Sequence, residues 1–195
     1  FNNLALGHGG GINTYYTYGG EGLRLKNVIF DSNSAGKGGG MSLDATKSAL
    51  IDVSFIRNSA EDSGGGLYLL SGSTMKNVDF SNNEAKYGGG MYGYARLMEN
   101  ITFNENSAYE GGGLFLTFDT ILLNITFSNN LALMGEEELL FPKGGGMFIE
   151  SCSPVLENIA FSNNISEHSG GGIFNFENSD TTLTNSTFSE NSSIY

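Results

Sequence analysis

The side chains that could carry acid–base, nucleophilic or metal chemistry are present in this chain, but they form no recognised motif. His8 and His168 each lie just before a glycine triplet, near opposite ends of the sequence, so we do not expect them to act together. Cys152 is the single cysteine and therefore cannot form an intrachain disulfide or a thiolate metal cluster. The sequence also contains no G-x-S-x-G, no H-E-x-x-H and no phosphate-binding loop.

Carboxylates are numerous, with 21 Asp and Glu residues, but their spacing does not indicate a catalytic site. Catalysis by paired carboxylates would need two of them beside a basic residue or a bound cation that stabilises developing charge. Glu61, Asp62 and Glu84 lie near equivalent turns, yet no position of the repeat described below combines two carboxylates with an arginine. Residues 136–138 are contiguous glutamates, whereas a calcium loop spaces its ligands and includes a turn glycine, so a solvated loop is favoured. We predict a non-enzymatic protein with no catalytic, cofactor-binding or metal-binding residues.

One short sequence motif recurs along the whole chain, and the structure that it forms must position these side chains. It contains a phenylalanine, an asparagine three residues later, and then a glycine triplet. The phenylalanines are Phe30, Phe55, Phe80, Phe103, Phe127, Phe161 and Phe188, and the asparagines are Asn33, Asn58, Asn83, Asn106, Asn130, Asn164 and Asn191. The third glycines stand at positions 11, 40, 66, 90, 113, 146 and 172, which are 23 to 33 residues apart.

A repeat of this length predicts a solenoid, and the composition of each unit selects its type. Each unit has β-favouring segments and a glycine triplet in place of helical i, i+3, i+4 stripes, and it is shorter than the roughly 40 residues of a propeller blade. We therefore predict an all-β fold, a right-handed parallel β-helix of about seven rungs that spans residues 1–195 as one array. The handedness follows the general crossover preference of parallel strands. Because the sequence starts and stops in the middle of a repeat motif, we expect it to be a segment of a longer array.

The repeated positions can be assigned to the faces of such a rung. The phenylalanines are expected inside, each stacked on the next rung about 4.8 Å away. The asparagines that follow are expected to form an internal amide ladder and to adopt the left-handed conformation of a tight bend. A second polar column, three residues before each phenylalanine, marks another bend; its members are Asn27, Asp52, Asn77, Asn100, Asn124, Asn158 and Asn185.

Two rungs carry extra residues, which we place in surface insertions at 13–22 and 134–143. In solenoids such insertions often carry the binding function. The alternative is a lid over apolar surface, and Leu139, Leu140 and Phe141 favour that interpretation of the second insertion.

The candidate interface is an aromatic column two residues after the glycine triplets. Alternation along the strand predicts that these side chains point away from the core, and an exposed apolar stripe usually marks an interface. Such a stripe would suit a sugar, a partner protein or another copy of the chain. A covering segment or a bulge that inverts the in/out assignment would remove it. The column consists of Tyr68, Tyr92, Phe115, Phe148 and Phe174, with Tyr94, Phe118 and Phe176 nearby.

Charge and composition exclude several classes of partner. A formal net charge of -12 argues against nucleic acid and against an anionic membrane surface, which both attract clustered Lys and Arg. No apolar run approaches the length of a membrane span, so we expect no membrane insertion in this segment. If the chain is secreted by a eukaryote, the better glycosylation candidates are Asn100, Asn124 and Asn185, which each begin an Asn-x-Ser/Thr sequence.

The paired signature F-x-x-N and G-G-aliphatic resembles the repeats of the polymorphic outer-membrane proteins of chlamydiae and related β-helix repeats on other cell surfaces. That family carries G-G-A where this chain has a third glycine, as in Gly88-Gly89-Gly90-Met91. The resemblance implies a surface-displayed β-helix with adhesive roles and contributes no catalytic residues. We predict an extracellular or cell-surface scaffold, either adhesin-like with a glycan or protein partner, or self-assembling into a filament through end-to-end or lateral association. The alternative is a carbohydrate-binding or carbohydrate-active β-helix protein.

Overall fold

A computed structural model describes residues 3–15, 22–134 and 141–194. In these residues the secondary structure is strand and turn, with no helix. The chain winds through about seven coils, and each coil passes in turn through a sheet that we call A, a glycine triplet, a sheet B and a sheet C. All pairings between successive coils are parallel, as predicted for a β-helix.

Every coil contributes its strands at equivalent positions. The strands of sheet A are Leu4–His8, Ser34–Lys37, Ser59–Ser63, Ser107–Ala108, Leu131–Ala132, Ile165–Ser166 and Ser192–Ser193. Isolated bridges through Glu84 join its two parts at coil four. The strands of sheet B are Ile12–Thr14, Met41–Leu43, Leu67–Leu70, Met91–Tyr94, Leu114–Leu116, Met147–Glu150 and Ile173–Phe176. The strands of sheet C are Arg24–Asp31, Ala49–Ile56, Thr74–Ser81, Leu97–Asn104, Ile121–Ser128, Val155–Ser162, Thr182–Thr184 and Thr187–Ser189.

The phenylalanines form one continuous stack through the core, as the sequence predicted. Phe80 lies 4.8 Å from Phe103, centroid to centroid, with the two rings within 5° of parallel. The register between coils pairs like with like, so Phe103 also pairs with Phe127 and Met98 with Leu122. These core side chains are completely shielded from solvent, and their burial supplies the main apolar contribution to folding.

The ladder asparagines lie beside the stack and hydrogen-bond to one another in a single direction. The side-chain amide of Asn83 donates to the carbonyl of Phe55 at 2.8 Å and to Oδ1 of Asn106 at 2.9 Å. The backbone N–H of Asn83 donates to the same Oδ1 at 3.0 Å. This pattern repeats from Asn33 to Asn164, except that the described residues give Asn33 no carbonyl partner of this kind. Asn3, which has no phenylalanine three residues before it, also joins the ladder, because its side-chain amide donates to Oδ1 of Asn33.

The left-handed backbone positions differ from those expected. The ladder asparagines do not have positive φ; the residue before each of them does, including Arg57 at 52° and Glu105 at 55°. The predicted bend column is confirmed, because all seven of its members have positive φ. This second bend lies inside one eight-residue strand of sheet C in the first six coils, and in the last coil it separates Thr182–Thr184 from Thr187–Ser189.

The third glycine of each triplet is required by packing against the phenylalanine stack. A Cβ added at Gly90 would lie 2.6 Å from the carbonyl oxygen of Gly113 and 2.9 Å from the ring of Phe103. Alanine at this place would push the phenylalanine stack outward, which explains why this chain has glycine there.

The two predicted insertions are only partly described. Asn13 and Thr14 belong to a strand of sheet B and are therefore not part of a loop. Residues 16–21 and 135–140 lie outside the described residues. Pro142 and Lys143 have already returned to the coil, where Lys143 bridges to Glu110 and Ser169.

Replacing one ladder asparagine should destabilise the protein far more than replacing one bend asparagine. Asn106→Ala removes the acceptor of the backbone N–H of Asn83, one of the two acceptors of the Asn83 side-chain amide, and the amide that donates to the carbonyl of Phe80. Each buried group that loses its partner costs about 1–3 kcal/mol. We expect a loss of roughly 3 kcal/mol or more in the free energy of unfolding, measured with denaturant. Asn100→Gly is the matched control, because Asn100 is exposed and glycine tolerates its φ of 55°. Equal losses for the two variants would show that the buried ladder has no special role.

Candidate binding surface

The aromatic column on the outer side of sheet B is present. Tyr68 stacks on Tyr92 with 5.5 Å between ring centroids and 8° between ring planes. Tyr92 lies 4.9 Å from Phe115, Phe115 lies 4.6 Å from Phe148, and Phe148 lies 5.6 Å from Phe174. The five side chains point away from the core, since the residues on either side of Tyr68, Leu67 and Leu69, are fully buried.

The expectation that this column forms an exposed stripe is wrong at its centre. Phe115 is only 4% exposed and Phe148 only 2%, whereas Tyr68, Tyr92 and Phe174 are half-buried. Stacking covers the faces of each ring with the rings of the neighbouring coils. Residues just before the glycine triplets add further cover, as Tyr87 does by packing edge-on against Phe115 at 5.9 Å.

Those covering residues include a row of charged side chains that the sequence analysis missed. Lys37 pairs with Asp62 at 3.1 Å, and its ammonium lies 5.3 Å from the ring centre of Tyr68. On coils five and six, Lys143 lies 3.9 Å from Glu110, and it lies 5.3 Å from the ring centre of Phe174. The signal was available in the sequence, because each of these residues stands one or two places before a glycine triplet.

Glu110 and Lys143 are the least exposed charged pair of this row. Their side chains are 17% and 23% exposed. Burial raises the pKa of the Glu110 carboxyl above its ordinary value, the nearby Lys143 lowers it, and Glu150 raises it. Burial also raises the pKa of Tyr92, with smaller contributions from Tyr68 and Glu150. The centre of the column thus combines aromatic rings with a carboxyl group that is more easily protonated than usual.

Two other titratable groups are withdrawn from solvent. Burial raises the pKa of the Tyr109 phenol to about 12, and its hydroxyl has no hydrogen-bond partner among the described residues. Burial raises the pKa of the Cys152 thiol to about 11, so it is protonated at neutral pH. A protonated, buried thiol is a poor nucleophile and a poor metal ligand.

The nearby aromatic residues at the corner between sheets B and C are more exposed than the central rings of the column. Phe118 is 60% exposed, and its ring is tilted against that of Tyr94, with 5.0 Å between centroids and 38° between planes. The adjacent Asp119 is exposed, and its Oδ1 accepts a hydrogen bond from the backbone N–H of Ser153 at 2.7 Å. An aromatic ring with a free face therefore stands beside a carboxylate that the backbone holds in place.

The histidines and carboxylates singled out in the sequence remain apart. His8 lies on coil one with its ring edge-on to Tyr68 at 6.1 Å, beside a shallow depression of about 430 Å³ that Glu61 and Asp62 also line. His168 lies on coil seven, where its ring is 4.4 Å from that of Phe141 and its Nδ1 is 2.7 Å from the hydroxyl of Ser169. Over the described ranges, no group of three or more His, Cys, Asp or Glu residues is placed to hold a metal ion.

The candidate glycosylation sites lie on the exposed bend column, where the side chains form a second amide ladder. The amide of Asn100 donates to Asn77, and that of Asn124 donates to Asn100, each at 3.1 Å. Asn185 is also exposed. By contrast, the acceptor sequence at Asn164 begins on a ladder residue that is fully buried. Modification of Asn100, Asn124 and Asn185 stays a prediction.

The raised pKa of Glu110 leads to a pH-dependent prediction for stability. A group whose pKa is higher in the folded than in the unfolded protein favours folding while it is protonated, and this contribution is lost as the pH rises through its folded-state pKa. Glu110→Gln removes the titration and is therefore expected to gain stability relative to the parent protein as the pH rises from about 4 to 7. Urea unfolding at several pH values measures this, with Glu157→Gln at an exposed position as the control. A Glu110→Gln variant that loses relative stability toward pH 7 would show that the ion pair with Lys143 outweighs the cost of burial.

Comparison with known proteins agrees with this architecture. The family model described as a right-handed β-helix region matches residues 10–188, which is most of the chain. Neither curated proteins nor solved structures gave a match. The narrower resemblance to the chlamydial surface repeats is not tested by the family match and remains a prediction. The described residues contain no helix that could span a membrane. The chain belongs to the right-handed β-helix family, as its sequence repeat, its stacked parallel coils and the family match together establish.

Proposed function

We propose that this protein is a non-enzymatic, adhesin-like scaffold at the cell surface or outside the cell, which binds a partner through the outer side of sheet B and its corner with sheet C. The observation that carries the proposal is the set of apolar and aromatic side chains that remain exposed on that side, Leu70, Tyr94 and Phe118. Binding surfaces in solenoids typically use such an extended face.

The interior supports a role as a rigid display element. The phenylalanine stack and the asparagine ladder run through all the coils, with ring spacings of 4.7 to 5.0 Å. Side chains on the surface are therefore fixed at regular intervals, with little conformational entropy to lose on binding. Rigid presentation lowers the ordering cost of association.

The outer surface supplies the contact groups. Leu70 and Tyr94 lie on the outer side of sheet B, where Leu70 is 38% exposed and Tyr94 is partly exposed. Phe118 projects from the corner. Apolar side chains surrounded by charged ones are typical of surfaces that bind other molecules. A cell-surface glycan or a protein would both fit this description.

The proposal is tested by placing a charge on the binding side and on another side at equal exposure. Leu70→Lys changes the outer side of sheet B, and Ile51→Lys changes the outer side of sheet C; both residues are 38% exposed. Flow cytometry of the labelled chain on intact cells should show adhesion that falls about tenfold for Leu70→Lys and little for Ile51→Lys. Absence of adhesion by the parent protein, or equal loss for both variants, would contradict the proposal.

Self-assembly into a filament is the second form of the scaffold proposal, and the ladder direction favours it. The side-chain amides from Asn33 to Asn164 donate to the asparagine of the next coil, and those from Asn58 to Asn191 donate to the phenylalanine carbonyl of the preceding coil. The two ends of a stack of coils therefore present complementary donors and acceptors. Two copies stacked head to tail would continue the ladder, and such a contact does not close on itself. Electron microscopy of the purified chain at increasing concentration should then show unbranched filaments. Discrete particles at every concentration would leave only the adhesin form.

A carbohydrate-active enzyme remains the competing proposal, and Glu110 is the observation that favours it. A partly buried carboxyl with a raised pKa beside a lysine resembles the acid group of enzymes that cleave glycosidic bonds. Incubation with a panel of polysaccharides should give no new reducing ends or unsaturated products if the scaffold proposal is right. Cleavage that Glu110→Gln abolishes would favour the enzyme.

A further inference from the structure

The aromatic column does not offer ring faces to a ligand, and this restricts where a flat apolar molecule could bind. Ring planes within 33° of each other and centroids 4.6 to 5.6 Å apart mean that each inner ring of the column is covered by its neighbours. Only ring edges reach the surface there. A ligand that stacks on an aromatic face must bind elsewhere.

Phe118 is the aromatic residue that fits this requirement. It projects from the turn after sheet B in coil five, with one side tilted against Tyr94 and 60% of the residue exposed. The turn is fixed by its own hydrogen bonds, because the hydroxyl of Thr120 donates to the carbonyl of Phe118 at 3.1 Å. The exposed face of the Phe118 ring is therefore in place before a ligand binds.

Polar groups flank the ring on both neighbouring coils. Asp119 follows it directly, and its Oδ1 accepts from the backbone N–H of Ser153 at 2.7 Å. The equivalent turn of coil four carries the exposed Arg96, and that of coil six carries the exposed Ser151. Hydroxyl groups of a ligand would find a fixed carboxylate acceptor directly after the aromatic residue, and the equivalent turn of the neighbouring coil offers a guanidinium donor.

We infer that the corner formed by Tyr94, Phe118 and Asp119 is a binding subsite for one pyranose ring of a surface glycan; this rests on the proposed adhesive function. A pyranose has an apolar face of C–H groups and a rim of hydroxyls, which matches an aromatic face beside a carboxylate. A protein partner would need a much larger contact, of about 800 Å² on each side, and a central apolar pocket. The isolated, projecting ring with polar neighbours fits the sugar better.

The subsite is tested with an array of immobilised pyranose oligosaccharides, followed by titration of the sugars that bind. Phe118→Ala should weaken binding on the order of tenfold, Phe118→Trp should retain it, and Phe118→Leu should behave like alanine, because leucine keeps apolar area without an aromatic face. Phe141→Ala is the control, since Phe141 is exposed to 59% on another part of the surface. Asp119→Asn, which keeps the oxygen that accepts from Ser153, should weaken binding separately.

The outcomes distinguish this subsite from the wider adhesive function. Glycan binding that survives Phe118→Ala overturns the subsite and leaves adhesion intact. Adhesion to cells without binding to any sugar, if lost in Phe118→Ala, identifies a protein partner and also overturns it. Absence of both sugar binding and adhesion rejects the proposed function itself. Melting temperatures of the variants should match the parent, because the exposed Phe118 ring contributes little to the core.

Discussion

Polar groups buried in an apolar interior must be hydrogen-bonded, and in this protein the ladder asparagines satisfy one another. From Asn58 to Asn164, each amide donates to the carbonyl of a phenylalanine and to the asparagine of the next coil, while its oxygen accepts from the previous one. The amide can do this only if successive coils are in register, since a slip by one residue would move the asparagine to the outside and an apolar side chain into the polar position. The ladder therefore ties the register of every coil to that of its neighbours. The phenylalanine stack and the close approach of the glycine triplets follow from the same alignment.

This inner order determines what the surface can do. Because the coils are aligned, any residue type that recurs at an outward position becomes a column, whether or not it contributes to folding. Three such columns are the aromatic column beside sheet B, the row of charged side chains before the glycine triplets, and the exposed amides of the bend. Columns of stacked rings cover their own faces, so regularity also removes binding area. Recognition is then expected where the pattern is interrupted, as at the turn that carries Phe118, rather than where it is most regular.

The sequence predicted most of the fold because the repeat places each residue type at a fixed point of the coil. Phe103 and Asn106 could be assigned to the core from their recurrence alone. Backbone conformation was harder to infer: positive φ falls on Glu105, whose type does not suggest it, and not on Asn106. The burial of Phe115 and Phe148 could not be predicted, because alternation gives the direction of a side chain and not what packs on top of it. The pairing of Lys143 with Glu110 could have been predicted, since each stands one residue before a glycine triplet and the two triplets belong to successive coils.

Hydrogen exchange of the asparagine side-chain amides, followed by NMR, tests most directly whether the buried ladder organises this structure. Asn106 and Asn130 are completely buried and donate through Nδ2 to two oxygens each, whereas Asn100 and Asn124 form a similar ladder in contact with solvent. The account predicts that the amide protons of Asn106 and Asn130 exchange only through unfolding of the surrounding coils, and hence many times more slowly than those of Asn100 and Asn124. Similar, fast exchange at all four residues would contradict it.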